Sequence, residues 1–276
     1  GMGEEVIPIA VTLQVSDAKV VFDLEATAAH VDGNINCPLS VTADGVYYVF
    51  RCLMPAHTPA CAGSFRNIRL SAPAGCLINA GRPAAVAAGN VETSSRIVDV
   101  VMGALAQALP DEIPAASQGT MNNLAMGARR HSFSWDYYET IGGGMGGSKQ
   151  QPGLSAVQSH MTNTLNTPVE VLEMAFPLRV KRYQIRSGSG GAGMHRGGDG
   201  LVREFEFLAP AAVTLLTERR RRQPWGLQAG GSGAAGENRY NGALLPGKVT
   251  LDVQAGGRLS VCTPGGGGWG KGRSGV

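Results

Sequence analysis

Residues 139–170 hold the densest run of groups that could do chemistry. Glu139 stands directly before a glycine run at residues 142–147, and Ser159, His160, Thr162, Asn163, Thr164, Asn166 and Thr167 follow within two dozen positions. Glu139 is the carboxylate to examine first as a general base, and His160 is the one histidine of five set among other polar side chains. This run leads into Thr167-Pro168-Val169-Glu170, which carries three helix-start signals: a Thr cap, Pro at the first position and Glu three residues after the cap. Free N–H groups and the dipole at such a start favour an anion or a polarised carbonyl oxygen. Against that, Thr162, Asn163 and Asn166 are equally the residue types that tie down a tight turn. The glycines, Gly142, Gly143 and Gly144 among them, allow either close approach of a ligand or positive φ in a packed turn.

Other chemistries are excluded by spacing. Residues 188–193 match G-x-G-x-x-G, but the following Met194-His195-Arg196-Gly197-Gly198 cannot open a helix, so no helix N-terminus is there to hold a pyrophosphate. The chain has no G-x-x-x-x-G-K-[ST], G-x-S-x-G or H-E-x-x-H. His30, His57, His131, His160 and His195 lie far apart without metal-ligand spacing, and no metal site is expected within this chain. Five cysteines, odd in number and without C-x-x-C, suit reduced thiols and a cytoplasmic setting. A net charge of +3 gives no reason to expect nucleic acid, since the one charge run, Arg219 to Arg222, reads as a solvated strand end or a partner contact. No apolar stretch is long enough to span a membrane. Gly1 ahead of Met2 reads as a remnant of tag removal, with Met2 the expected natural start.

The elements that must position these groups give an α+β class: helices mainly in the first two-thirds, packed on mixed or antiparallel sheet, then a mostly antiparallel C-terminal portion. Strands are expected across 14–25, at 66–70 and at 132–141, helices at 38–53 and from Ser94 to Pro110, and a short helix from Thr167 to about Ala175. The second helix should bury Ile97, Val101, Leu105 and Leu109, opposite a narrow polar stripe of Ser95, Asp99, Gly103 and Gln107. Further strands are expected at 178–186, 201–207, 212–217 and 248–253. The expected organisation is an α+β portion over 2–176, a β-rich portion over 177–270 packed on it, and a flexible tail at 271–276. With 40 Gly in 276 residues, about twice ordinary usage, many turns must be tight.

Read together, several segments resemble the hydantoinase B/5-oxoprolinase family. They are Gly33-Asn34-Ile35-Asn36, residues 87–94 (AAGNVETS), residues 115–123 (AASQGTMNN, with Asn122), residues 138–144 (YETIGGG) and residues 160–164 (HMTNT). Residues 166–170, 188–200, 224–227 and 263–268 extend the resemblance, which runs from about Phe22 to Gly270 but matches only the C-terminal half of a family member. It implies a subunit or fragment of an ATP-dependent cyclic amide hydrolase, in which phosphorylation of a carbonyl oxygen precedes ring opening by water. No cofactor is implied in this chain; ATP and a divalent metal would sit on partner chains. Those partners would be a hydantoinase A-type ATP-binding subunit and the N-terminal half of the B component, forming an oligomeric assembly that acts on a small cyclic amide. If Met2 is the start, the natural protein would be one piece of a split B component. The resemblance implies Glu139 as base or hydrogen-bond acceptor, Asn163 and Asn166 as donors to a carbonyl oxygen, and His160 as a proton relay. Gly142, Gly143, Gly144, Asn122 and Thr162 would bind substrate. Two alternatives stand beside it: a subunit of an ATP-dependent acetone- or acetophenone-type carboxylase, and a non-catalytic scaffold subunit using its glycine loops and Arg219 to Arg222 as interfaces.

Overall fold

A computed structural model describes residues 6–129 and 134–272. His131 and the first two positions of the strand expected at 132–141 lie outside the described residues. The chain forms two compact units, Gly1–Ile113 and Pro114–Val276, so the stretch grouped at 2–176 from sequence contributes to both. The class is α+β, and among the described residues every strand pairing but one is antiparallel.

In the first unit, β1 (Thr12–Ser16) and β2 (Lys19–Asp23) form a hairpin whose turn residues, Asp17 and Ala18, both take positive φ, as a two-residue turn matched to strand twist requires. β3 (Ile68–Ser71) adds parallel to β2. Helix α1 (Leu39–Leu53) starts just after Pro38, and α2 (Ser94–Leu105) grows out of a π-helical turn at Gly89–Thr93. A Cβ on Gly45 of α1 would lie 3.1 Å from Ile97 Cγ2, so the small residue lets the two helices approach closely there. The helix expected to reach Pro110 stops at Leu105; Ile97, Val101 and Leu105 are buried, whereas Leu109, in the turns that follow, is exposed. Of the polar stripe, Ser95 and Asp99 are buried, with Asp99 paired to Arg96 one turn earlier, while Gly103 is half-buried and Gln107 is exposed.

Two family-like segments of this unit hold each other. Asn36 accepts from the Val31 N–H and donates to the carbonyls of Val31, Gly33 and Ala85 at 2.8 to 3.1 Å. Thr93 Oγ1 donates to the Ile35 carbonyl, Ala88 N–H to that of Asn34, and a Cβ on Gly89 would meet Asn36 O at 2.0 Å. Their residue types are thus accounted for by packing.

In the second unit, β4 (Asn123–Arg129), β5 (Ser134–Glu139), β8 (Ala211–Leu216) and β11 (Lys248–Val253) make a four-stranded sheet in the order β11-β8-β4-β5. A second sheet runs β10-β9-β12-β7-β6, from β6 (Leu178–Arg186), β7 (Gly200–Phe207), β9 (Glu237–Tyr240), β10 (Ala243–Leu245) and β12 (Arg258–Cys262). Leu124, Tyr137, Val213 and Leu215 from the first sheet and Phe205, Phe207, Leu259 and Val261 from the second form one apolar cluster. Burying such side chains fully stabilises by roughly 1.5–3 kcal/mol each. Helix α3 (Val169–Ala175) starts one residue later than its sequence signals suggest, with Pro168 at the boundary and no side-chain cap.

Glycine-rich segments beside the sheets pack backbone against backbone. Gly144 N–H donates to Pro264 O, Gly147 N–H to Gly267 O, Gly198 N–H to Met145 O, Gly266 N–H to Gly198 O and Gly191 N–H to Gly266 O, all at 2.8 to 2.9 Å. Residues 142–147, 190–198, 226–234 and 263–268 so form a hydrogen-bonded layer that carries almost no strand assignment. Side chains would separate these backbones, which explains the glycine content. No helix among the described residues is long and apolar enough to cross a membrane.

Candidate functional site

Strand β5 alternates, with Ser134, Asp136 and Tyr138 outward and Trp135, Tyr137 and Glu139 inward. This period of two puts the Glu139 carboxylate among apolar residues. There it accepts four hydrogen bonds: from Tyr137 Oη at 2.8 Å, Asn166 Nδ2 at 2.9 Å, and Arg203 Nε and Nη2 at 3.2 and 3.3 Å. Arg203 sits on β7 in the inward row Leu201, Arg203, Phe205, Phe207, and its side chain is 0% exposed. Its guanidinium lies 4.1 Å from the centre of the Tyr183 ring on β6 and 5.1 Å from that of Phe205. Desolvating such a pair costs several kcal/mol per ion. The four bonds to the carboxylate and the two ring faces offset part of that cost, while Arg203 Nη1 is buried without a hydrogen-bond partner among the described residues. Burial and the neighbouring Glu139 charge push the Tyr137 phenol up to about 12, so it remains a donor across the neutral range.

The exit of β5 carries this network into the glycine layer. Asn166 Nδ2 also donates to the Thr140 carbonyl at 2.8 Å, and Asn166 Oδ1 accepts from Tyr183 Oη at 3.2 Å. Thr140 Oγ1 meets Thr164 Oγ1, and Gln158 Nε2 reaches both hydroxyls at 3.3 Å. One residue on, the Ile141 carbonyl accepts from Asn122 Nδ2, which also donates to Gln118 Oε1; Asn122 Oδ1 accepts from Arg220 Nη1 at 2.8 Å. Asn122 is fully buried with φ of 47°, a conformation asparagine tolerates better than most residues.

The fold therefore brings Glu139 and Asn166 into direct contact and ties Asn122 to the same segment through Ile141. Gly142, Gly143 and Gly144 lie against protein backbone and the Gln118 amide: a Cβ on Gly144 would stand 2.0 Å from Gly198 O, and one on Gly143 2.1 Å from Gln118 Oε1. Thr162 is buried in a turn closed by its N–H to Ser159 O; His160, at φ 58°, is half-buried, and Asn163 is exposed. Arg219 and Arg220 of the basic run turn inward, Arg219 donating to the Gln223 carbonyl and Arg220 to Asn122 and Asn238, while Arg221 and Arg222 are exposed. Burial lowers the Arg219 guanidinium to about 10. An open concavity of about 840 Å³ lies on the other face of the four-stranded sheet, around Ala125, Gly127, Tyr138, Ala212 and Asp252; none of the sequence-predicted site residues lines it. Among the described residues no group of three or more His, Cys, Asp or Glu side chains could hold a metal ion, and the donors around Glu139 are hydroxyl, amide and guanidinium groups, which suit a carboxylate and not a cation.

Sequence reasoning missed Arg203, Tyr137 and Tyr183. A signal for Arg203 existed, because it interrupts an otherwise apolar period-two row on β7. Nothing local pairs it with Glu139, which is 64 residues away.

Comparison with known proteins places these features in a family. The hydantoinase B/oxoprolinase profile matches residues 1–272. The chain is 41% identical over 271 residues to 5-oxoprolinase 1 of Arabidopsis thaliana, covering 96% of this chain and 21% of that protein. It superimposes on the ATP-dependent caprolactamase from Pseudomonas jessenii with a TM-score of 0.83 at 24% identity, covering 95% of this chain and 48% of that one. An acetone carboxylase shares the fold at 15% identity, with a TM-score of 0.76 and coverage of 94% and 41%. The chain thus spans between about a fifth and a half of the length of these proteins.

Proposed function

The chain belongs to the hydantoinase B/oxoprolinase family, and from that premise we propose that it is one portion of an ATP-dependent cyclic amide hydrolase. The observation that carries this reading is the 41% identity to a 5-oxoprolinase across 96% of the chain, a length that includes every residue of the Glu139 network. A five-membered cyclic amide is a poor electrophile, so its carbonyl oxygen must be activated before water can open the ring. In this reading the activating nucleotide and any divalent metal are held by other polypeptide: an ATP-binding component and the rest of the family's length. No step is assigned here to a metal, since the residues around Glu139 do not make a site for one.

What this chain supplies is position. Glu139 serves as an acceptor anchored by Arg203 and Tyr137, holding Asn166 and the 140–144 backbone in place. Exposed Asn163 and half-buried His160 would face the substrate, Asn163 as donor to a carbonyl oxygen and His160 as proton relay.

The purified chain alone, given ATP, Mg²⁺ and 5-oxoproline or hydantoin, is expected to show no turnover. Activity should emerge when the ATP-binding component and the remaining B-component polypeptide are added. Hydrolysis by the isolated chain would overturn the proposal. A reconstituted assembly whose ATP consumption requires bicarbonate would replace hydrolysis by carboxylation.

A further inference from the structure

The five-stranded sheet ends at β6, a nine-residue strand bonded to β7 on one side only. Helix α3 covers the beginning of the free edge, where the Val180 N–H donates to Glu173 Oε1 at 2.8 Å. Past that point no described strand pairs with β6. A free edge of this length presents a row of backbone donors and acceptors to solvent, and it is a ready template for another strand.

The side chains around this edge are apolar and unusually exposed. Tyr183 and Ile185 on β6 are 45% and 50% exposed, Val171 and Met174 on α3 are 54% and 89%, and Leu165 is 99%. Single exposed apolar residues are ordinary. These five belong to one neighbourhood: α3 packs on β6, and Leu165 adjoins Asn166, which is bonded to the Tyr183 hydroxyl. Three of the four cations of β6, Lys181, Arg182 and Arg186, already pair with Glu206, Glu204 and Glu237, and the fourth, Arg179, lies before the uncovered part of the edge.

We propose that the free edge of β6, flanked by Leu165, Val171, Met174, Tyr183 and Ile185, seats an extended apolar strand from the part of the family-length protein that lies outside these 276 residues. The proposal rests on the family reading above. Its occupant is chosen from length: the chain accounts for 48% of the caprolactamase polypeptide and 21% of the Arabidopsis protein, so in both more than half of the polypeptide remains to be packed. A strand added there would pair with the β6 backbone and cover Tyr183, directly outside the buried Arg203 and Glu139.

The test uses the 276-residue chain and, as a separate tagged polypeptide, the remaining portion of the family-length protein from the same source. Capture of one by the other is measured without ATP, together with amide exchange across 181–186. Wild-type chain should be captured, and its 181–186 amides should become protected. The variants Leu165→Asp/Met174→Asp and Ile185→Asp should each weaken capture by at least about tenfold, with far-UV circular dichroism and melting temperature unchanged. Undiminished capture of both folded variants, or protection confined to other segments, would overturn the proposal. So would a dimer of this chain broken by the same substitutions. Because capture is read without turnover, an assembly that forms through β6 but does not hydrolyse a cyclic amide would sink only the functional reading, and an active one with β6 unprotected only this one.

Discussion

Glu139 shows how burial changes what a carboxylate can do. Here it carries four donated hydrogen bonds and faces a guanidinium that is itself out of solvent, so its oxygens are occupied as acceptors. Removing one partner of a buried pair typically costs about 3–5 kcal/mol, because the other charge is left uncompensated. Glu139→Gln should therefore lower the denaturation midpoint sharply, while the double replacement Glu139→Leu/Arg203→Met should recover much of the loss; urea titrations of the three proteins compare them. Tyr137 gives a pH prediction. Its folded value, near 12, lies above the ordinary 10, so its contribution to stability is intact below pH 10 and falls away as pH rises toward 12. Burial also holds the Tyr48 phenol well above the ordinary range, so ultraviolet titration should find two tyrosines ionising late in the wild type, and Tyr137→Phe should remove the earlier of these two late steps.

At the level of elements, the glycine layer is the least ordinary feature of the fold. Its segments lie so close that Cβ atoms at Gly144 and Gly266 would stand 2.0 Å from Gly198 O and Met145 O, which are backbone atoms that cannot swing aside. Gly144→Ala and Gly266→Ala should each destabilise by more than about 3 kcal/mol, among the largest effects of single substitutions. Gly188 makes a useful contrast: it needs its φ of 78° but has nothing within 4 Å of an added Cβ. Gly188→Ala should cost only about 1 kcal/mol, the strain of a left-handed residue. Thermal melts of the three variants order them.

At the level of the molecule, two units with separate cores suggest separate stability. All three tryptophans, Trp135, Trp225 and Trp269, fall within Pro114–Val276, so tryptophan fluorescence reports that unit alone. Residues 114–276 expressed without the preceding segment should keep the near-ultraviolet dichroism of these residues and melt cooperatively. A featureless spectrum would show that the unit's core is insufficient alone.

The sequence by itself determined the class, the family resemblance and most strands of the second unit, because alternation and turn residues are local. β6 and β11 fall at their expected limits, and β7 and β8 within one residue. It did not reveal β4, β9, β10 and β12: β4 is rich in small residues and carries a glycine, the others are short, polar or interrupted, and all become strands only through their neighbours. The end of α2 at Leu105 was equally hidden, since an apolar helical pattern continues past the last turn that packing supports. Glu139 and Asn166 could be picked out as polar residues in a promising run. That they touch, and that Arg203 from another strand neutralises the carboxylate, was decided by the tertiary structure: an ion pair 64 residues apart in the chain exists only where two sheets close over it.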